Sequence, residues 1–165
     1  MYKIRIIGDA ILRKKTINIE KFDDNLKSII NNMIDTMHNE DGIGLAAPQV
    51  GLDKSVLVID ISSIDDSERP TAFINPQIIE SAGESVYEEG CLSIPGVREE
   101  VARPEEITLK YQDEDGKKHK DTFSGWKARV LQHEIDHLNG ILFVDRISPV
   151  KKQLLVAQQT IPNRF

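Results

Sequence analysis

The sequence predicts an α+β fold: short antiparallel or mixed β-sheets around one central helix, with an N-terminal helix and a short C-terminal helix. Three observations predict it. Two segments, residues 23–39 and 126–138, carry apolar residues at helical spacing. Several short runs, residues 56–59 and 107–111 the clearest, are unbroken apolar or alternating, as strands are. Between the later runs, Asp113-Glu114-Asp115-Gly116 is hairpin-turn chemistry.

Taken in order, residues 1–19 read as an extended arm of short apolar pieces, with Gly8-Asp9 as a turn. The first helix follows from Phe22, Leu26, Ile29, Ile30, Met33 and Met37, with Asp23-Asp24 favouring its N-terminal end and Asp41-Gly42 stopping it. Gly42 to Gln49 reads as a tight turn whose two glycines let backbone approach something closely. It is no phosphate loop, since the Lys-Ser/Thr ending is missing. A buried strand is expected over 55–61, and a polar acidic loop over 62–70. A strand bent at Asn75-Pro76 comes next. Pro95-Gly96 signals a turn within 84–103, and strands over 106–111 and 117–123 flank the hairpin turn. The second helix has Ser124 as N-cap and Asn139-Gly140 as its stop. Ser148-Pro149 opens the last helix.

Composition bounds the function. A chain of 165 residues suits one domain over residues 1–165, and 39% hydrophobic with 29% charged residues is ordinary globular material. The net charge of −6 argues against a protein that coats DNA. Basic clusters at Arg13-Lys14-Lys15, Lys117-Lys118 and Lys151-Lys152 read as solvated surface, with a transient ribosome contact left open. A single cysteine, Cys91, forbids an intrachain disulfide and suits a reducing compartment. No stretch resembles a signal peptide or a membrane span, so the expected location is cytoplasmic, with no membrane partner.

The chemistry centres on His133-Glu134-Ile135-Asp136-His137. Residues four apart share a helix face, so His133 and His137 can grip one metal ion, and Glu134 beside them can handle the proton of a water that the ion activates. A solvated helix face or a pair of satisfied core histidines is the competing reading. A catalytic site of this kind needs a third protein ligand. Downstream there is none: Phe143 stands where a third histidine would be, and no glutamate follows Glu134. Upstream, Cys91, His38, His119 and a carboxylate are candidates. Cys91 is the best, because thiolate is a strong ligand, although a free cysteine is as often a small buried hydrophobe.

Three segments then agree. Residues 42–49 (GIGLAAPQ), 89–93 (EGCLS) and 132–137 (QHEIDH) resemble, in order and wording, the signature motifs of peptide deformylase, the bacterial type most closely. The resemblance runs over nearly the whole chain. It implies a metal-dependent hydrolase that removes the N-terminal formyl group from formyl-methionyl nascent polypeptides and releases formate. It implies Cys91, His133 and His137 as ligands of one divalent ion, ferrous iron first, with zinc, nickel or cobalt able to substitute. Glu134 would be base and then acid, with Gln49 and the backbone N–H of Leu92 as oxyanion donors. Glu89 and Arg103 would form a partly buried ion pair holding the strand of Cys91. The substrate-binding set would be Ile43, Gly44, Trp126, Val130 and Arg98. Trp126 and Val130 share the helix face of the two histidines. They therefore predict an apolar, narrow pocket that suits methionine. Gly8 departs from the family, which usually has proline before the Asp of the opening. A metallopeptidase and a closed structural metal site are the rival readings.

Overall fold

Strand pairing in the computed structural model, which describes residues 1–158 and 160–162, is antiparallel throughout two sheets. The elements in order are α1 (Asp24–Asn39), β1 (Gly44–Ala46), β2 (Val56–Ile59), β3 (Thr71–Ala82), β4 (Ser85–Cys91), β5 (Ile94–Arg103), β6 (Glu106–Gln112), β7 (Lys118–Ser124), α2 (Gly125–Leu138) and α3 (Pro149–Ala157). The larger sheet has the order β1-β2-β3-β6-β7, and β4-β5 form a separate two-stranded sheet inserted between β3 and β6. The expected α+β fold around the histidine-bearing helix is the one observed.

Strand periodicity explains why the larger sheet is covered on both faces. On β2, Leu57 and Ile59 point into a core with Phe73, Ile107, Leu131, Ile135 and Leu138, so that face packs on α2. Val56 and Val58 point the other way, into a core with Leu26, Ile30, Met33 and Met37 of α1. A strand buried on both faces must be apolar throughout, hence the unbroken Val56-Leu57-Val58-Ile59 run. Each such side chain contributes about 1.5–3 kcal/mol on burial. A third core joins Ile94, Val97 and Val101 of β5 to Leu12, Phe143, Val144 and Leu155. Helix α2 therefore lies between the large sheet and the β4–β5 hairpin, and every residue from Ala128 to Leu138 is buried.

Four local expectations are corrected. The arm is not extended throughout, because the Asp9 side chain caps a 3₁₀ turn over Ala10–Arg13. The 42–49 segment is not a simple turn: Gly44–Ala46 pairs with β2 before a 3₁₀ turn over Ala47–Val50. Pro95-Gly96 does not reverse the chain. The turn is Leu92-Ser93, and Pro95 to Val97 form a bulge between the pairs Gly90↔Arg98 and Cys91↔Ile94, with Gly96 at φ 76°. Trp126, expected in the apolar stripe of α2, is 43% exposed. Ser124 stands at the N-cap of α2, but its side chain makes no capping hydrogen bond; the caps of the other two α-helices are as expected. Asp23 caps α1 through Leu26 N at 3.0 Å, and Ser148 caps α3 ahead of Pro149. The bend in β3 is Asn75, at φ 51°, whose side chain exchanges two hydrogen bonds with the backbone of Ile19.

Gly140 ends α2 in the left-handed region, at φ 74°, and a Cβ there would lie 2.6 Å from the carbonyl oxygen of Arg13. Gly140→Ala is expected to destabilise the fold by about 1–2 kcal/mol for the backbone conformation alone, with the clash in addition. Urea unfolding measures it. An unchanged midpoint would contradict this account of the helix end.

Candidate metal centre and active site

The site is assembled from three places in the chain. Strand β4 delivers Cys91 as its last residue, with Leu92 opening the turn to β5. Helix α2 delivers His133, Glu134 and His137, and β1 with the following 3₁₀ turn delivers Gly44 and Gln49. Cys91 Sγ and one nitrogen of each imidazole lie within 4.8 Å of one another, and the sulfur is 3.3 Å from His137 Nε2. The other candidates for a third ligand are elsewhere, for His38 bonds Asp60 at 2.7 Å and His119 bonds Asp113 at 2.8 Å.

The donor set fits a divalent cation. The Glu89 carboxylate accepts from His133 Nδ1 at 2.9 Å, which leaves the Nε2 lone pair for a metal. Burial holds His137 well below its usual range, so its ring stays neutral as a ligand must be. Among the described residues, three buried side-chain polar atoms have no partner, and two of them, Glu134 Oε1 and His137 Nδ1, are here.

Glu134 is 4% exposed. Burial raises its carboxyl to about 7, with His133 and Arg103 opposing and the Glu89 and Asp136 carboxylates adding to the rise. A group titrating near neutrality can both take and return a proton. Its close approach to β1 requires glycine: a Cβ on Gly44 would lie 2.6 Å from Glu134 Oε2 and 2.9 Å from Val130 Cγ1. The Gln49 amide is fixed in direction. Its Oε1 accepts from Ala46 N at 2.9 Å, so its Nε2 faces Ser93 Oγ at 3.2 Å and Cys91 Sγ at 3.5 Å.

A cavity of 650 Å³ opens beside these groups, lined by Ile43, Gly44, Leu92, Trp126, Val130 and Arg98 among others. Its mouth is not wholly apolar, since Arg98 Nε pairs with Glu88 at 2.7 Å with both side chains more than half exposed.

Glu89 and Arg103 are bidentate at 2.6 and 2.9 Å and almost fully buried. Burial opposes the charge on Glu89, but Arg103 and His133 overcome it and hold the carboxyl well below the usual carboxylate range. Sequence reasoning missed the rest of this network. Arg129 also donates to Glu89, and Asp136 accepts from Arg103 at 2.9 Å and Arg146 at 2.5 Å. A signal existed, because Arg129 precedes His133 by four residues and so shares its helix face. The arm was missed too: Arg5 N donates to Gln49 O and Ile7 N to Ser93 O, at 2.7 and 2.8 Å, supporting both loops from below.

Removing either member of the Glu89–Arg103 pair leaves a buried charge short of its partner. Glu89→Gln and Arg103→Met are each expected to cost roughly 3–5 kcal/mol in denaturant unfolding. The double variant should show a coupling of roughly 1–3 kcal/mol. Additive losses would show that the pair does not act as a unit.

Comparison with known proteins agrees with this geometry. The family model for polypeptide deformylase matches residues 1–153. A peptide deformylase of a Thermotoga species is 49% identical over 156 residues, covering 94% of this chain and 92% of its own. One from Christiangramia forsetii is 49% identical, covering 90% of this chain and 82% of its own. Among solved structures, a peptide deformylase from Synechococcus elongatus in complex with actinonin superposes with a TM-score of 0.92 at 41% identity. It covers 98% of this chain and 89% of its own. The Thermotoga maritima peptide deformylase gives 0.85 at 48% identity, covering 90% and 99%. With its three signature segments folded around a single group of one thiol and two imidazoles, the chain belongs to the polypeptide deformylase family.

Proposed function

We propose that Cys91, His133 and His137 hold one divalent ion, ferrous iron in the cell, and that Glu134, Gln49 and the Leu92 N–H carry out the family's reaction beside it. That reaction removes the formyl group from the N-terminus of formylated nascent polypeptides and releases formate. The observation that carries the assignment is the convergence of one sulfur and two imidazole nitrogens beside a buried carboxylate that has an unpartnered oxygen. One thiolate and two imidazoles suit iron, zinc, nickel or cobalt alike. A cation held there supplies Lewis acidity, acidifying a water and polarising the formyl oxygen.

The protein groups do the rest. Glu134 takes the water's proton as the new C–O bond forms at the formyl carbon. The oxygen that becomes negative receives hydrogen bonds from Gln49 Nε2 and the Leu92 N–H; Gln49 cannot turn away because its Oε1 is held by Ala46 N. Glu134 then gives the proton to the leaving nitrogen as the C–N bond breaks, leaving formate and a free N-terminal amine. Ile43, Gly44, Trp126 and Val130 receive the methionine side chain, and Arg98 at the mouth meets the following residue.

Residues 1–165 act as one catalytic domain. No helix among the described residues is long and apolar enough to cross a membrane. We assign the work to the cytoplasm, where a transient contact with the ribosome would bring the enzyme to its formylated substrate.

Formate release from formylated and unformylated methionyl peptides separates this reading from a metallopeptidase, which would release free amino acids from both. Glu134→Ala is expected to keep the metal and lose about 10²–10⁴ in kcat. Gln49→Leu should lose about 10²–10³, with a smaller effect on KM. A Glu134→Ala enzyme of near wild-type rate would contradict the assignment.

A further inference from the structure

The three residues assigned to the metal stand on two pieces of structure. Cys91 ends a strand of the two-stranded sheet, and both histidines stand on α2, whose N-terminus follows the last strand of the other sheet. Something must fix the reach between them, because a centre built across a joint is only as exact as the joint.

The Arg103–Glu89 bonds do not do this, since both residues belong to the β4–β5 hairpin. Arg129 does cross the joint. It lies one helical turn before His133 on α2 and is 4% exposed. Its Nη1 donates to Glu89 Oε2 at 2.5 Å and to Val101 O at 3.0 Å. Its Nη2 donates to Ser85 O at 2.9 Å and Ser85 Oγ at 3.1 Å. One guanidinium thus grips the first residue of β4, the acid two residues before Cys91, and the facing strand β5. The Tyr87 ring lies over it, 5.1 Å from guanidinium carbon to ring centroid. Tyr87 in turn packs on Trp126 at 4.8 Å, so the clasp reaches from the metal ligands to the cavity wall. Without Arg129, the hairpin would be tied to α2 here through Arg103–Asp136, through the exposed Tyr87–Trp126 ring contact, and through the Glu89–His133 bond, which pulls on a metal ligand.

We propose that Arg129 is a positioning residue of the metal centre, clasping the hairpin that carries Cys91 to the helix that carries His133 and His137 and setting the reach from thiolate to imidazoles. This rests on those three residues being the ligands. Neutralising Glu89 is not the purpose, since Arg103 is already bidentate on that carboxylate. The planar fork is the purpose: a lysine ammonium keeps the charge but cannot reach Glu89, Val101 and Ser85 together.

The test uses the full chain loaded with cobalt(II), as wild type, Arg129→Met and Arg129→Lys. The readouts are the thiolate-to-cobalt charge-transfer absorption, the rate of cobalt release to a chelator, and circular dichroism of the metal-free proteins. Both variants are expected to weaken or shift the charge-transfer band and to release cobalt about 10–100-fold faster, while keeping a folded spectrum. If Arg129→Met fails to fold, the charge-retaining Arg129→Lys carries the test by the same readouts. Wild-type band and release rate in the folded variants would overturn the proposal. So would full recovery in Arg129→Lys, which would reduce the role of Arg129 to its charge. A wild type with no charge-transfer band would instead overturn the ligand assignment itself, and this proposal with it.

Discussion

The Glu89 carboxylate is the interaction on which the site depends. It accepts four hydrogen bonds, two from Arg103, one from Arg129 and one from His133 Nδ1. A carboxylate this deeply buried is tolerated only when its lone pairs are satisfied and its charge is matched. Here both conditions are met by groups from different parts of the fold. Arg103 is its hairpin neighbour, while Arg129 and His133 come from α2. Satisfying one acid therefore docks the hairpin against the helix, and the same bonds choose the His133 tautomer that offers Nε2 to a metal.

The surrounding architecture makes that joint stiff. Because α2 is buried from Ala128 to Leu138, its apolar residues can pack on the large sheet while its polar ones face the hairpin. A helix in that position must find partners for its polar side chains inside the protein. Arg129 Nε, Glu134 Oε1 and His137 Nδ1 are the exceptions among the described residues, and β1 approaches Glu134 so closely that only glycine fits at position 44. Stability is concentrated around a group whose own environment is left polar and unsatisfied, which is the usual division between scaffold and reacting group.

Much of this was legible in the sequence, and the reasons are local. Helix α1 announced itself through Leu26, Ile30, Met33 and Met37, and α2 through its histidine spacing and Asn139-Gly140 stop, because helical signals are short-range. The convergence of Cys91 with His133 and His137 spans more than forty residues, so no spacing rule could give it. Family resemblance suggested it, and strand pairing brings it about. Pro95-Gly96 misled for a physical reason, since a bulge and a turn ask for the same residues. The arm's support of Gln49 and Ser93 runs through backbone atoms alone, on which side-chain identity is silent. Arg129 looked like one charge among many until the fold showed it almost fully buried.

The central claim is that hairpin and helix meet at one metal ion held by one sulfur and two imidazoles. X-ray absorption on the zinc-loaded protein tests it most directly. The account predicts a coordination shell with one sulfur at about 2.3 Å and two imidazole nitrogens at about 2.0–2.1 Å. A shell of nitrogen and oxygen alone, with no sulfur, would contradict it.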